Sequence, residues 1–208
     1  EQLHDLFKEV IQPVVQEGYD DGLNFDLTQL KAEEIKEDAK YQGVRITGRT
    51  SLERAQCPFQ IYIGFGDAVT GFEEVTEVPA FIDDLPKPKL RTYPVETVVA
   101  EKFQAMVVLG IANSRMKDFY DIYTIAETIE IESDVLAQAI QATFQRRDTL
   151  LDVDNAYIFT EEFKSDDGLA KLWQAFIKKN RLNIELTFAE VVEHIEAFIT
   201  SALNHSSL

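Results

Sequence analysis

Lys102 is the first residue of this chain whose surroundings favour chemistry. On a helical wheel for residues 95–110, it falls at the centre of an apolar face. The apolar positions of that face are Val95, Val98, Val99, Phe103, Met106 and Leu109. A lysine among packing residues loses hydration, so it must pair with a carboxylate or a phosphate, or reach solvent along its stem. A ligand-binding role and a structural pairing therefore both stay open.

Two aspartates follow in the next predicted helix, which begins at Asn113 or Ser114. The helical repeat places Asp118 and Asp121 on one face with Ser114 and Lys117. The opposite face carries Met116, Phe119 and Tyr123. A carboxylate pair at this spacing can position a lysine, a metal-bound water or a nucleotide hydroxyl. The alternative is a solvated first turn that Ser114 caps and in which Asp118 favours the helix N-terminus.

A third candidate segment, residues 64–67, ends a predicted strand. Gly64 and Gly66 would let a backbone approach a ligand closely, and Asp67 supplies a carboxylate there. The segment lacks the lysine and threonine of a P-loop and the full dinucleotide fingerprint. An ordinary strand-to-turn transition is therefore the simpler explanation of these residues.

The composition limits the classes of partner. The chain has 37 acidic and 20 basic residues and a formal net charge of −17, which repels phosphate backbones at long range. Unaided nucleic-acid binding is disfavoured, whereas a basic partner or a metal-bound nucleotide fits. The single cysteine, Cys57, and the distant His4, His194 and His205 give no support to a zinc site. With no apolar run long enough to span a bilayer, we expect no membrane partner and a cytoplasmic location.

The sequence predicts that an α/β region followed by a helical region positions these candidate site residues. Apolar spacing predicts a helix from about Leu3, a short polar helix near 30–39, and strands at 43–47 and 59–65. On the second strand, Tyr62 falls on the polar face. A proline-punctuated link over 79–94 leads to helices at 95–109, 115–128, 134–146, 161–179 and 188–203, the last with Thr187 and Glu190 in capping-box spacing. We therefore divide the chain at 1–92 and 93–208.

Three segments, at residues 62–67, 97–105 and 114–121, together resemble the AbiEii/AbiGii-like nucleotidyltransferase toxins. Their order and spacing are similar too, and the likeness extends from about Asp21 through Arg147. The resemblance implies an α+β fold containing a partial nucleotidyltransferase-type unit of the DNA polymerase β superfamily. It also implies transfer of a nucleotidyl group from a nucleoside triphosphate with Mg²⁺, in a toxin-antitoxin system linked to phage abortive infection.

The resemblance also implies residue roles and partners. Lys102 would contact the triphosphate or support metal-binding carboxylates, and Asp118 would complete the catalytic pair. The nucleotide-binding residues would be Gly64, Gly66, Asp67, Arg115, Lys117 and Asp121. An antitoxin protein and an RNA acceptor are the implied macromolecular partners.

The chain departs from the family pattern at two motifs. The first motif, a Gly-Ser pair followed by two aspartates separated by one residue, matches nothing here, so we expect it upstream of Glu1. In the second motif, Tyr62 stands where the family usually has aspartate, and a phenol is a poor Mg²⁺ ligand at neutral pH. We therefore expect these 208 residues to be inactive alone. The alternative is a degenerate member that binds nucleotide or protein without catalysis.

Overall fold

The computed structural model describes residues 22–38, 41–64, 75–80, 82 and 87–205, together with Asp5, Glu9 and Gln12. These residues combine strands and helices, as the predicted α+β class requires. They form two compact units, residues 1–67 and residues 68–208. Asp5, Glu9 and Gln12 are helical. The rest of the predicted first helix lies outside the described residues.

The first unit is built on an antiparallel sheet. Its strands are β1 (Leu23–Phe25), β2 (Lys31–Asp38), β3 (Tyr41–Leu52) and β4 (Ala55–Gly64), and a 3-10 turn covers Leu27–Gln29. The long β3 is central, because β4 pairs along one of its edges while β1 and β2 pair with successive parts of the other. Both predicted strands are confirmed and are longer than expected.

The short helix predicted near residues 30–39 is wrong, because this segment is β2. Ala32 and Glu34 pair with Ile46 and Val44 of β3. The polar residues of the segment do not forbid a helix, but the ladder to β3 satisfies their backbone groups in the extended form. Tertiary pairing therefore overrides the local preference.

The core of the sheet lies on one face of β3. Val44 and Ile46 are buried there with Leu30, and Phe59 and Ile63 pack against them. Gly48 lies in the same row, and a Cβ atom at this position would stand 2.5 Å from Phe59 Cζ. The close approach of the Phe59 ring therefore requires glycine.

The second unit begins with a small hairpin and continues as helices. The hairpin pairs β5 (Val75–Glu77) with β6 (Lys89–Arg91). The helices are α1 (Val95–Leu109), α2 (Met116–Thr128), α3 (Ser133–Arg146), α4 (Glu161–Lys164), α5 (Asp167–Asn180) and α6 (Phe188–His205), with 3-10 turns at Gly110–Ala112 and Tyr157–Phe159. The division at 92/93 stays a prediction as a domain boundary. Among the described residues, no helix could cross a membrane.

Capping explains where two of the helices begin. The single helix predicted over 161–179 is wrong, because Asp166 breaks it. The backbone of Asp166 is extended and its side chain accepts a hydrogen bond from Leu169 N at 2.8 Å, so α5 starts anew. The predicted capping box of α6 is confirmed, since Thr187 N donates to Glu190 Oε2 at 2.7 Å and Glu190 N donates to Thr187 Oγ1 at 3.3 Å.

Aromatic side chains form the centre of the helical core. The largest buried members are Trp173, Phe103, Phe119, Phe144, Phe163 and Phe188. Phe103 of α1 packs on Phe144 of α3 at a ring-centroid distance of 5.3 Å. Phe119 of α2 packs on Phe188 of α6 at 5.1 Å. These contacts set the rotation of α1 and α2 about their own axes.

Candidate functional site

The structure brings Lys102 together with both aspartates of α2. Lys102 Nζ lies 2.5 Å from Asp118 Oδ1 and 2.8 Å from Asp121 Oδ2. The three side chains are only 20%, 15% and 20% exposed. This lysine-carboxylate cluster therefore lies at the junction of α1 and α2, mostly shielded from water.

Neighbouring phenylalanines hold the cluster in place. Lys102 precedes Phe103, and Asp118 precedes Phe119, and both rings are about 1% exposed. Because each ring is locked into the core, the adjacent polar side chain of each helix is directed to the boundary between core and solvent. The local sequence thus positions both partners of the salt bridge.

The predicted place of Lys102 on its helix needs correction. The buried residues of α1 are Thr97, Val99, Ala100, Phe103, Gln104 and Met106. Their centre lies well to one side of Lys102, which therefore sits at the margin of the buried face and not at its centre. The apolar pattern misplaces the centre of the buried face because it leaves out Thr97 and Gln104, which are polar and yet buried.

The predicted faces of α2 are confirmed, but its start is different. Met116 and Phe119 are buried, and the aspartates lie on the other face. The helix begins at Met116. Arg115 occupies the N-cap position, but its side chain makes no capping hydrogen bond. Ser114 is not the cap. Instead, Asn113 Oδ1 accepts a hydrogen bond from Arg115 N at 2.8 Å.

Lys117 adds a second ammonium to the cluster. Its Nζ donates to Asp121 Oδ2 at 2.6 Å, and its side chain is 72% exposed. Burial lowers the pKa of Lys102, but its hydrogen bonds to Asp118 and Asp121 and the charges of these carboxylates outweigh burial, so the pKa is raised above its ordinary value. Lys102 is therefore fully charged at neutral pH.

The cluster does not fit a magnesium site. Each carboxylate already faces an ammonium, because Asp118 pairs with Lys102 and Asp121 with both lysines. Mg²⁺ requires oxygen ligands that carry negative charge or open lone pairs. The described part of the chain contains no group of three or more His, Cys, Asp or Glu side chains that could hold a metal ion.

The remaining predicted site residues belong to the first unit or lie outside the described residues. Gly64 ends β4, is exposed, and pairs with Gly43 of β3. Gly66 and Asp67 lie outside the described residues. The predicted polar face of β4 is present: Tyr62 is 63% exposed, and its hydroxyl donates to Gln60 Oε1 at 3.0 Å.

A hydrogen-bond network around Gln104 is not predicted from the sequence. Gln104 of α1 is 5% exposed, and its Nε2 donates to Thr149 Oγ1 at 2.8 Å. Arg147, at the end of α3, donates from Nη1 to Gln104 Oε1 at 3.0 Å. The signal in the sequence is a glutamine within the apolar repeat of α1. This connection ties the lysine helix to the end of α3.

Comparison with known proteins assigns the family. The sequence model described as Nucleotidyl transferase AbiEii toxin, Type IV TA system, matches residues 1–194. No curated protein and no solved structure matched the chain. The match covers the first unit and most of the second, including α1 and α2, and it agrees with the resemblance seen in the sequence. The chain therefore belongs to the AbiEii family of nucleotidyl transferase toxins of type IV toxin-antitoxin systems.

Proposed function

We propose that this protein is a nucleotidyltransferase toxin that uses a nucleoside triphosphate, and that the Lys102 cluster forms the triphosphate-contacting half of its site. The observation that carries the proposal is that Lys102 Nζ forms salt bridges with both Asp118 and Asp121. Lys102 lies in one of the two longer segments that resemble the family, and both aspartates lie in the other. An RNA acceptor and an antitoxin are the partners that this proposal includes.

The geometry gives Lys102 a defined task. An ammonium has three N–H donors, and two of them are directed to Asp118 and Asp121. We assign the third donor to a phosphate oxygen, since the side chain is 20% exposed and makes no further ion pair among the described residues. Asp118 and Asp121 thus position the ammonium before the triphosphate arrives, so little reorganisation is needed during transfer.

Magnesium, expected from the family, has no ligands in this cluster. We assign it to the carboxylates of the family's first motif and not to Asp118 or Asp121, which are committed to lysines. When bound, the ion would neutralise charge on the phosphates. The steps given to Lys102 and Asp118 here are binding and orientation only.

The direct test is transfer of a labelled nucleotide from each triphosphate to RNA or protein, with the protein carrying the family's first motif. Lys102→Met and Asp118→Asn should each reduce the rate by about 100-fold or more, because the first removes the ammonium that binds the triphosphate and the second removes the carboxylate that orients it. Wild-type protein that transfers no nucleotide from any triphosphate would contradict the proposal.

Lys164 provides a matched control for this experiment. Its side chain is 10% exposed, and its Nζ pairs with Glu196 at 2.8 Å and Glu161 at 3.5 Å. Lys164→Met therefore removes a shielded, doubly paired lysine from the same helical unit without touching α1 or α2. We expect its transfer rate per folded molecule to stay near wild type, which separates catalysis from stability.

A second function, nucleotide or protein binding without catalysis, is favoured by Tyr62. This residue occupies the exposed polar face of β4, where the family usually carries a carboxylate. Its hydroxyl donates to neutral Gln60, and the residue also hydrogen-bonds to Arg45 of β3. Calorimetric titration of the 208-residue chain with each triphosphate, with and without Mg²⁺, tests binding separately from transfer. This second function would be supported if the chain binds a triphosphate, Lys102→Met abolishes that binding, and protein that carries the family's first motif transfers no nucleotide.

A further inference from the structure

A closed ring of hydrogen bonds joins α1 to the end of α3. Arg147 Nη1 donates to Gln104 Oε1 at 3.0 Å, and Gln104 Nε2 donates to Thr149 Oγ1 at 2.8 Å. The Thr149 hydroxyl donates in turn to Arg147 O at 3.3 Å. Both ends of the buried Gln104 amide are therefore paired, which makes this contact between the two helices directional.

The backbone after α3 bends to complete this ring. Arg147 occupies the C-cap position of α3, and Asp148 follows with a φ of +52°, in the left-handed region that non-glycine residues rarely adopt. The bend lets Thr149 N donate to Phe144 O at 2.9 Å and brings the Thr149 hydroxyl to Gln104. Such a conformation persists only where surrounding contacts hold it, so the ring and the bend stabilise each other.

Arg147 also reaches Glu101, the residue that precedes Lys102. Arg147 Nη2 lies 3.9 Å from Glu101 Oε1, and the two side chains are about one-quarter to one-third exposed. Glu101 and Gln104 are three residues apart in α1, so they lie on the same side of the helix. One guanidinium therefore contacts α1 at two successive turns, on the side that faces the end of α3.

Lys102 lies on nearly the opposite side of the same helix. It is two residues from Gln104, which corresponds to a rotation of about 200° around the helix axis. Gln104 thus meets the end of α3, while Lys102 meets Asp118 and Asp121 of α2. Because the ammonium lies far from the axis, rotating α1 by about 10° would move it by about 1 Å. Such a movement would change the length of both salt bridges.

We propose that Arg147 is a positioning residue, which fixes the rotation of α1 through Gln104 and thereby sets the place of Lys102. The hydrophobic effect has no preferred direction, so apolar packing tolerates small rotations of a helix. Hydrogen bonds from a planar guanidinium weaken when their angles change. The proposal rests on the proposed function only where nucleotide transfer is measured, because the salt bridges of Lys102 can be followed separately.

The test follows the Lys102 ammonium by ¹⁵N NMR of the 208-residue chain. Ammonium protons in shielded salt bridges exchange slowly with water, and Lys102→Met assigns the signal. Arg147→Met removes the guanidinium, and Gln104→Leu replaces the amide with an apolar side chain of similar size. Each variant should accelerate exchange of the Lys102 ammonium protons about 10-fold, because their charge-assisted hydrogen bonds weaken.

Two matched controls separate positioning from a general loss of stability. Lys164 is another shielded lysine of the helical unit, and it pairs with Glu196 at 2.8 Å. Its ammonium exchange should change less than about twofold in Arg147→Met and Gln104→Leu. Arg181 occupies the C-cap position of α5, as Arg147 does in α3. Arg181→Met should leave the exchange of Lys102 within about twofold of wild type.

Nucleotide transfer by protein that carries the family's first motif provides the second measurement. Arg147→Met should lower kcat about 10-fold or more, because a displacement of about 1 Å from the productive geometry is enough for such a loss. Arg147→Lys keeps the charge without the planar fork of donors, so it should recover part of the rate. Arg181→Met should transfer at nearly the wild-type rate.

Two outcomes would overturn the proposal. One is unchanged exchange of the Lys102 ammonium in folded Arg147→Met and Gln104→Leu. The other is equal acceleration at Lys102 and Lys164, because this would show that the whole unit loosens. If Arg147→Met fails to fold, Gln104→Leu decides, since an apolar side chain suits a position that is 5% exposed.

The positioning role and the proposed function fail in distinguishable ways. A transfer assay without product defeats the nucleotidyltransferase function, but the Lys102 ammonium still responds to Arg147→Met. Transfer that depends on Lys102, with a rate and an ammonium exchange that are both indifferent to Arg147→Met, defeats the positioning role alone.

Discussion

Lys102 of α1 and Asp118 of α2 are 16 positions apart in the sequence and meet at 2.5 Å in the structure. Each stands next to a phenylalanine that is locked in the core, so the salt bridge follows from how α1 and α2 are anchored. The bridge joins two of the three segments that resemble the family. Its energy and its charge state are therefore the first properties to measure.

Removing Lys102 should destabilise the helical unit. Lys102→Met leaves Asp118 and Asp121 as neighbouring, largely shielded carboxylates without their shared cation. We expect a loss of about 1–3 kcal/mol in the free energy of unfolding, measured by urea denaturation. The double variant with Asp118→Asn should recover part of the loss. Changes below about 0.5 kcal/mol in both variants would contradict a stabilising bridge.

The same salt bridge should make stability sensitive to high pH. The pKa of Lys102 is raised above its ordinary value in the folded state, so the contribution of the bridge is fully present below the ordinary lysine pKa of about 10.4. It is lost as pH rises through the folded-state pKa. Unfolding free energies measured between neutral pH and pH 12 should fall less steeply for Lys102→Met. The variant keeps some slope, because hydrogen bonding to Glu196 also raises the pKa of Lys164.

Trp173 is the only tryptophan of the chain and lies in the helical unit, so its fluorescence should report the unfolding of that unit specifically. Its ring is fully buried, and its Nε1 donates to Leu186 O at 2.9 Å. We expect its fluorescence to shift to longer wavelength on denaturation. Trp173→Phe removes the hydrogen bond and ring volume and should cost about 2–4 kcal/mol, measured by circular dichroism. A loss near zero would show that neither the bond nor the packing matters.

Gly48→Ala should destabilise the sheet of the first unit. The added Cβ would lie 2.5 Å from Phe59 Cζ and 2.8 Å from Leu30 Cδ2. Relieving this overlap should cost about 1–3 kcal/mol, because both neighbours are packed in the sheet core. Hydrogen exchange of the β3 and β4 amides should accelerate. Ser51→Ala, on the same strand, is the control and should leave exchange near the wild-type rate.

Tyr62→Asp should return a carboxylate to the polar face of β4. The side chain is 63% exposed, so the change should leave stability nearly unaffected. If Tyr62 lowers the activity of a nucleotidyltransferase, Tyr62→Asp should raise the rate of nucleotide transfer in the presence of Mg²⁺. The rate is measured on protein that carries the family's first motif. Tyr62→Asn, equally polar but neutral, is the matched control. Equal rates for the two variants would argue against a metal-binding carboxylate here.

Four of the six described helices of the second unit could be predicted from the sequence to within a few residues, whereas the helix expected over 161–179 is two helices, α4 and α5. The apolar repeat placed α1, α2, α3 and α6, and the Thr187–Glu190 pair marked the start of α6. Local signals suffice there because helical hydrogen bonds join residues close in sequence. The strand β2 was mistaken for a helix, because its ladder to β3 is a contact that no local pattern contains.

For the candidate site, too, the sequence indicates the residues, and tertiary packing decides their contacts. The residue types and the motif order indicated Lys102, Asp118, Lys117 and Asp121, and the helical repeat put the last three on one face. Only tertiary packing decided that Lys102 sits at the margin of the buried face and meets both aspartates. Only packing, too, buried Asn113 Nδ2, which has no acceptor among the described residues. The reason is physical: spacing along one helix sets which residues share a face, whereas the rotation of each helix in the core sets what that face meets.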